Sequence, residues 1–460
     1  MVAIAMTRLD DTPLNAREFE QLVTLAGAVK FPLRVAVATS GGADSMALCL
    51  LTHRWVENHG GKCYGLIVDH GLRPGSDEEA TLVADWLAFC GIEAHILDWK
   101  GPKPTRGVQA AAREARYALI QSWCVEHDVS DVLLAHHRDD QAETFLMRLG
   151  RKSGVDGLAA MAAVSQRDSI RLVRPFLQVP KARLISTLKH LGQPWIEDPA
   201  NRDPAYARSK LREAMPSLAD IGINAEGLAL TTRRMARARA ALDHYATELI
   251  HSAVECHASG YCWIDRDSLV SAPEEIGLRA LSRVIGAVGA GTTAPRYERV
   301  ERLFGDIRQN RSGKGRTLAG CRIIEKGVRI LVCREVRGIG DRVTLKPGEN
   351  RRWDERFDVN LRGPFTGQSN EVCEVRRLGA EGWRTVAAQL EKPLNTEDEI
   401  VPAAVRATLP ALWDQAGPVG VPHLNFRRDG TKLELDVRFT PRWPLEFTPF
   451  SVVSVDTPPI

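Results

Sequence analysis

The sequence predicts an α/β protein: a parallel, doubly wound sheet followed by a helical domain and a C-terminal mixed α+β, β-rich domain. Three observations carry this reading. Strand-like and helical patterns alternate through roughly the first third of the chain. An apolar run at 33–38 breaks into Ser-Gly-Gly just before a helical pattern. From 371 onward, short strand patterns and prolines replace the long helices. With 460 residues, roughly two to four domains are expected.

Taken in order, the strand-like runs are 34–38, 63–69, 94–99 and 131–136, and the helical patterns are 45–59, 78–90, 108–126 and 139–149. Open parallel sheets bind ligands at the carboxyl ends of their strands, which is where Ser40, Asp69, His70 and His136 fall. Residues 150–212 are mixed and punctuated by Pro175, Pro180, Pro194, Pro199 and Pro204. An Ala/Arg-rich helical pattern, LALTTRRMARARAALDHYATELI, follows at 228–250. Residues 321–336 read as a hairpin turning at Glu325-Lys326-Gly327, the polar, glycine-spaced stretch 348–370 reads as a boundary, and LELDVRF at 433–439 as a strand. The expected division is an extension (1–30), an α/β domain (31–215), a helical basic domain (216–345) and a C-terminal domain (371–460).

Composition narrows the class. Apolar residues make up 44% and charged residues 26% of the chain, the balance of a soluble globular protein. No apolar run reaches the roughly 18 residues that span a bilayer, and the first residues lack a basic segment followed by a long apolar core, so neither a membrane anchor nor a secretion signal is expected. The nine cysteines are scattered without a C-x-x-C pair, which points to reduced thiols in a cytosol and to no zinc knuckle or iron–sulfur cluster. Net charge is only +3, but 296–337 holds twelve Lys/Arg against five Asp/Glu. Such a stretch, with Arg311, Lys314 and Arg316, suits a polyphosphate backbone or is simply a solvated face.

Five clusters carry chemistry. Ser40-Gly41-Gly42-Ala43-Asp44-Ser45 opens a helix after a strand. It lacks the lysine of a Walker loop and the third glycine of a dinucleotide fingerprint. Its hydroxyls and bare N–H groups suit a pyrophosphate, with Asp44 able to hold Mg²⁺ against it; the plainer alternative is an ordinary glycine turn. VDHGLRPGS (68–76) closes the next strand and offers Asp69 and His70. In AAAREARY (110–117), Arg113 and Arg116 share a helical face, fit for a phosphate or for a surface ion pair with Glu114. LLAHHRDDQAET (133–144) places His136, His137, Asp139 and Asp140 at one strand end. These could supply a metal ligand, a proton acceptor or a helix cap, although the further His/Asp clusters of a metal hydrolase are missing. WIEDPANRDPAYARSKLRE (195–213) pairs a rigid turn with Arg202, Arg208, Lys210 and Arg212, a grip for a polyanion or a solvated helix face.

In this order the five clusters resemble the tRNA(Ile)-lysidine synthetase family, and SGGADS resembles the pyrophosphatase loop of the N-type ATP-pyrophosphatase (PP-loop) superfamily, with its adenine nucleotide alpha-hydrolase-like fold. RPF at 174–176 belongs to the same pattern, and VRRLGAEGW (375–383), with Arg376 and Arg377, and PALWDQAGPVGVPHL (410–424) resemble the family's terminal tRNA-binding domain. The likeness is weakest between about 220 and 370. The chain departs mildly where the family often has Phe and Arg-Asn, carrying Tyr206 and Arg208-Ser209.

The resemblance implies a cytoplasmic ligase that uses ATP and Mg²⁺ to adenylate position 2 of the wobble cytidine in the CAU anticodon of tRNA(Ile). Free L-lysine then displaces AMP. It implies that Ser40, Gly41, Gly42, Ala43, Asp44, Ser45, Asp69 and His70 bind the nucleotide, that Asp44 holds the metal, and that Arg113, Arg116, His136 and Asp140 stand with Asp44 at the reacting centre. The basic residues named above become tRNA contacts, and a homodimer is compatible with the pattern. Set against this are a tRNA thiolase of the same superfamily, whose cluster-bearing members need paired cysteines, a glutamine-dependent ligase, which needs a further domain, and a tRNA-binding protein without catalysis.

Overall fold

Along the first strand Val35 and Val37 enter one hydrophobic core while Ala36 enters another, the alternation of a strand covered on both faces. The computed structural model describes residues 11–27, 33–197, 207–291, 293, 295–311, 315–340, 342–363, 373–389, 401–445 and 450. They form two compact units, Met1–Ala240 with Phe450–Ile460, and Ala241–Pro449.

In the first unit α1 (Ala16–Leu25) precedes β1 (Arg34–Ala38), α2 (Ala43–Asn58), β2 (Lys62–Asp69), α3 (Ser76–Phe89), β3 (Glu93–Asp98), α4 (Val108–Glu126), β4 (Asp131–Leu133), α5 (Arg138–Leu149) and α6 (Val155–Leu158). Then come β5 (Val164–Arg167), β6 (Ile170–Val173), α7 (Lys181–Leu191), α8 (Ala207–Asp220) and the start of α9 (Ala225–Ala253). The sheet order is β3-β2-β1-β4-β6-β5. All neighbours are parallel except β5, which runs antiparallel to β6. Strand order reverses between β1 and β4, so the crevice between their carboxyl ends is the ligand position of such a sheet. The run expected as a strand to 136 stops at Leu133; Leu134 N–H bonds the Val173 carbonyl and the chain then leaves the sheet, carrying His136 and His137 to its edge. Helix α1 lies within the expected N-terminal extension, yet it packs into the α/β core. Asn15 and Glu18 cap its start reciprocally, and Phe19 meets Trp55 and Phe176 edge-on.

The second unit contains the rest of α9, then β7 (Val254–His257), β8 (Tyr261–Asp265), α10 (Arg266–Ser271), α11 (Glu274–Gly289), α12 (Tyr297–Arg308), β9 (Arg316–Leu318), β10 (Cys321–Lys326) and β11 (Arg329–Arg334). The β strands form one antiparallel sheet, β7-β8-β11-β10-β9, covered by α11 and α12 through Leu281, Val284, Ile285 and Phe304. The region expected to be helical is therefore helix on sheet, and the anticipated hairpin is its β10–β11 pair. Next come β12 (Val343–Leu345), β13 (Asn350–Trp353), β14 (Phe357–Arg362), β15 (Cys373–Arg377), α13 (Gly379–Gln389), α14 (Ala403–Arg406), β16 (Pro410–Asp414), β17 (Gly417–Val421), β18 (Phe426–Arg427) and β19 (Glu434–Phe439). They make sheets β12-β15-β16-β17-β18 and β13-β14-β19. Part of the expected boundary at 348–370 is thus a hairpin. Phe357, Val359 and Leu361 alternate inward within that polar stretch and are buried.

The turn of that hairpin holds a buried charge cluster. Asp354, in a left-handed backbone conformation, pairs with Arg334 at 3.0 Å and with Arg356 at 2.8 Å, their side chains 2%, 6% and 1% exposed. Arg356 also donates to the Gly260 carbonyl at 3.0 Å. Removing the one carboxylate would leave two guanidinium groups buried without it. Asp354→Ala should therefore destabilise the second unit by about 3–5 kcal/mol, seen as an early transition in urea unfolding of the whole chain; an unchanged midpoint would refute the clamp.

Candidate active site

The crevice opens on the start of α2. Ser45 Oγ accepts from the Ser40 N–H at 3.1 Å, lies 3.2 Å from Ser40 Oγ and donates to the Gly42 carbonyl at 3.0 Å. This ties the loop into a ring. The backbone N–H groups of Gly42, Ala43 and Asp44 make no hydrogen bond among the described residues, and they point outward at the positive end of a helix. The two glycines differ. Gly41 has φ +80°, and a Cβ there would meet Val83 at 2.5 Å and Ile196 at 3.2 Å; its carbonyl accepts from Ile196 N–H at 2.9 Å. Gly42 has an ordinary φ of −71°, and a Cβ there would touch nothing closer than Ser40 Oγ at 3.7 Å. The fold requires glycine at 41; at 42 a side chain would only fill the cradle.

Beside the loop, His137 is surrounded by carboxylates. Its Nε2 lies 3.5 Å from Asp44 Oδ2 and 3.4 Å from Asp140 Oδ2, and its Nδ1 lies 3.3 Å from Asp139 Oδ2. Burial alone would lower the pKa of this imidazole, but Asp139, Asp44 and Asp140 raise it to about 10. In return, Asp139 is lowered to about 2, against burial, by His137 and the Lys181 N–H. Asp44 is lowered, again against burial, by His137 and Lys181. Asp140 also accepts from the His137 backbone N–H at 3.1 Å, capping α5, and faces Arg212 at 3.8 Å. One turn along α5, buried Glu143 takes Arg212 in a fork of 2.6 and 3.3 Å, with Arg208 at 3.9 Å.

A second group, mostly cationic, lies at the neighbouring strand ends. Arg116 Nη2 is 3.4 Å from His70 Nε2, and Arg113 lies over the Tyr117 ring at 5.1 Å. Burial and then Arg116 lower the pKa of His70. Asp69 accepts from the Gly71 N–H at 2.9 Å, closing the turn that presents His70. His136 is lowered to about 3, first by burial and then by Arg174, so it is neutral at physiological pH. Arg174, 6% exposed, donates to the Ala162 carbonyl and Ser165 Oγ at 3.0 Å each.

The structure thus brings Ser40–Ser45, Asp69, His70, Arg113, Arg116, His136 and Asp140 to one end of one sheet. The proposed RNA contacts are more dispersed. Arg212 and Arg208 turn onto Glu143 and into the site, whereas Lys210 is exposed on α8. In the second unit Arg311 is exposed, Arg316 pairs with Asp306 at 3.2 Å, Arg376 lies over Trp413 at 3.9 Å, and Arg377 donates to the Val336 carbonyl at 2.7 Å. Arg202 and Lys314 lie outside the described residues. Sequence reasoning placed His137 and Asp139 in the fourth cluster without choosing between ligand, proton acceptor and cap, quoted Arg174 only within RPF, and gave no role to Glu143 or Lys181. Glu143 follows Asp140 by three residues and was findable as the same helical face; Lys181 comes from a distant helix and left no local signal.

A doubly wound sheet with an anion nest and an acidic residue at its switch point defines a nucleotide-binding α/β domain of the PP-loop class, and residues 14–218 match the PP-loop domain family. The tRNA(Ile)-lysidine synthase of Ruegeria pomeroyi is 38% identical over 397 residues, covering 85% of this chain and 88% of that protein. That of Bradyrhizobium diazoefficiens is 41% identical over 293 residues, 61% of this chain and 79% of that one. Among solved structures, the U34-tRNA thiolase NcsA from Methanococcus maripaludis with its [4Fe-4S] cluster is 16% identical and covers 48% of this chain and 78% of that one, with a TM-score of 0.42. The chain belongs to the tRNA(Ile)-lysidine synthase family. No helix among the described residues is long and apolar enough to cross a membrane.

Two outcomes test the site's construction. Gly42→Ala should fold with wild-type stability but weaken ATP binding about tenfold or more, as one obstructed anion contact would, whereas Gly41→Ala should cost stability first. Calorimetric ATP titration alongside thermal melting separates the two, and equal behaviour would contradict the assignment. His137, raised from 6.5 to about 10 in the folded chain, contributes stability that is full below pH 6.5 and lost as pH rises towards 10. In nucleotide-free urea unfolding, His137→Gln should be less stable than wild type at pH 6 and should lack much of the wild-type decline between pH 7 and 10.

Proposed function

We propose that this chain converts the wobble cytidine of a CAU-bearing isoleucine tRNA to lysidine, by adenylation with ATP and then transfer of free L-lysine. The observation that carries the reading is the nest of N–H groups beside Asp44, unbonded within the described chain, in a sequence aligned over 85% of its length with a tRNA(Ile)-lysidine synthase.

A pyrimidine carbonyl oxygen is a weak nucleophile, so the first step demands a good leaving group held in line. The position-2 oxygen attacks the α-phosphorus of ATP, and the bond to pyrophosphate breaks. Charge developing on the pyrophosphate is met by the N–H groups of Gly42, Ala43 and Asp44 and by the Ser40 and Ser45 hydroxyls. Asp44 Oδ1 is buried without a hydrogen-bond partner, so this carboxylate fits Mg²⁺, which when bound would neutralise polyphosphate charge. Arg113 and Arg116 serve the α-phosphate, and Asp69 and His70 flank the nucleotide.

In the second step the lysine ε-amine attacks carbon 2. The bond from that carbon to the adenylate oxygen breaks, AMP leaves with its oxygen, and the amine loses a proton. His136 and Asp140 stand at the reacting centre in this reading. Burial and Arg174 leave His136 neutral but weakly basic, so it would take the proton only once an anionic adenylate against Arg113 has raised its basicity. Position 2 is the same in every CAU-bearing tRNA, so identity must come from elsewhere. Lys210, Arg311, Arg316, Arg376 and Arg377, together with Arg202 and Lys314, are the contacts we assign to RNA, mostly to phosphates. The scattered cysteines suit the reducing cytoplasm.

The test is incorporation of labelled lysine into an isoleucine tRNA transcript bearing CAU, with ATP and Mg²⁺. Incorporation should require ATP, fall at least a hundredfold in Asp44→Ala and be absent from a CAU initiator tRNA. AMP release with a sulfur donor and no lysine incorporation would overturn the assignment.

A further inference from the structure

Lys181 has no part in the reaction as described, yet its ammonium lies beside the PP-loop carboxylate and largely in solvent. Its Nζ lies 3.7 Å from Asp44 Oδ2, and its side chain is 45% exposed. The base of this side chain is fixed. Pro180 is the N-cap of α7, the Lys181 N–H donates to Asp139 Oδ2 at 3.1 Å, and the Arg138 N–H donates to the Val179 carbonyl at 2.9 Å. Leu184 and Leu188 anchor the same helix in the core that holds α2. A flexible, solvated amine therefore rises from a rigid helix start directly beside the PP-loop carboxylate.

Three helices begin at this point: α2 after β1, α5 after β4 and α7 after β6. Their positive ends converge on one volume. Asp139 and Asp140 already have cations and N–H donors in His137, Arg212 and the α5 and α7 backbones. Asp44 is flanked by His137 and Lys181 and retains an unpartnered oxygen. As a bare ion pair, half-exposed Lys181–Asp44 would be worth little.

We propose that Lys181 is a second phosphate-binding residue: it pairs with Asp44 in the free protein and moves onto the β- or γ-phosphate when nucleotide arrives. The displacement follows from charge. With a divalent cation held by Asp44, an ammonium 3.7 Å from that carboxylate would be repelled, and the polyphosphate would be the anion within reach of its four-carbon side chain. The inference deepens the ATP-binding part of the proposed function and is independent of which nucleophile follows.

The test uses the full chain and magnesium pyrophosphate as probe, with no tRNA or lysine. Lys181→Met should melt within a degree or two of wild type when unliganded, but bind pyrophosphate and ATP about tenfold or more weakly by calorimetry and show a smaller ligand-induced rise in melting temperature. Lys181→Arg should recover most of the affinity. In turnover, Lys181→Met should raise the KM for ATP more than it lowers kcat at saturating ATP. Wild-type pyrophosphate affinity in Lys181→Met would overturn the role while leaving the lysine-transfer reading intact. Failure of the wild-type chain itself to bind ATP or pyrophosphate would overturn both.

Discussion

Three carboxylates within reach of one imidazole is the constraint on which the rest of the site depends. Asp44, Asp139 and Asp140 all lie within 3.5 Å of His137. Gathered without a cation, they would repel one another. A protonated, buried His137 holds Asp44 and Asp139 anionic in the free protein, and the positive ends of α2, α5 and α7 reinforce it. Arg212, bound to Glu143 and facing Asp140, extends the balance to α8. The result is a strand-end cluster rich in charge of both signs, its members paired with one another in the free protein.

Much of this was legible in the sequence, because its signals were local. The strand–glycine–helix junction at 33–51 named its own chemistry, and the alternation of strands and helices fixed which polar residues sit at strand ends. What escaped was of two kinds. His137 was visible but unranked, since from the string HHRDD alone either histidine could be the functional one. The geometry separates them: His137 is enclosed by acids and His136 by arginines. Lys181 was invisible in a stronger sense, because its proximity to the loop exists only after β6 and α7 are laid beside β4 and α2; Arg174 stood in RPF, but its place beside His136 shows only in the fold. In the second unit the polar stretch at 350–362 read as a boundary because charged residues outnumber apolar ones there; the strand signal was the every-other-residue burial of Phe357, Val359 and Leu361.

The second unit is rich in arginines set against aromatic rings. Arginines stack on aromatic rings in both units: Arg113 and Arg167 over Tyr117 in the first, and Arg376 over Trp413, Arg329 over Trp263 at 4.8 Å and Arg406 over Trp383 at 4.5 Å in the second. A ring beneath a guanidinium leaves its N–H groups for other partners: Arg329 directs them to Glu255 and Arg406 to the Val401 carbonyl.

The contrast between Gly41 and Gly42 reaches beyond nucleotide binding. Residue 41 answers to the backbone, whereas residue 42 answers only to what occupies the loop. A survey of substitutions scored by folding alone would pass alanine at 42 as silent and condemn it at 41, while the same survey scored by growth would condemn both. Neighbouring positions in one turn thus answer to two separate demands, and a difference between two such maps would mark ligand contacts in this chain without any ligand being present.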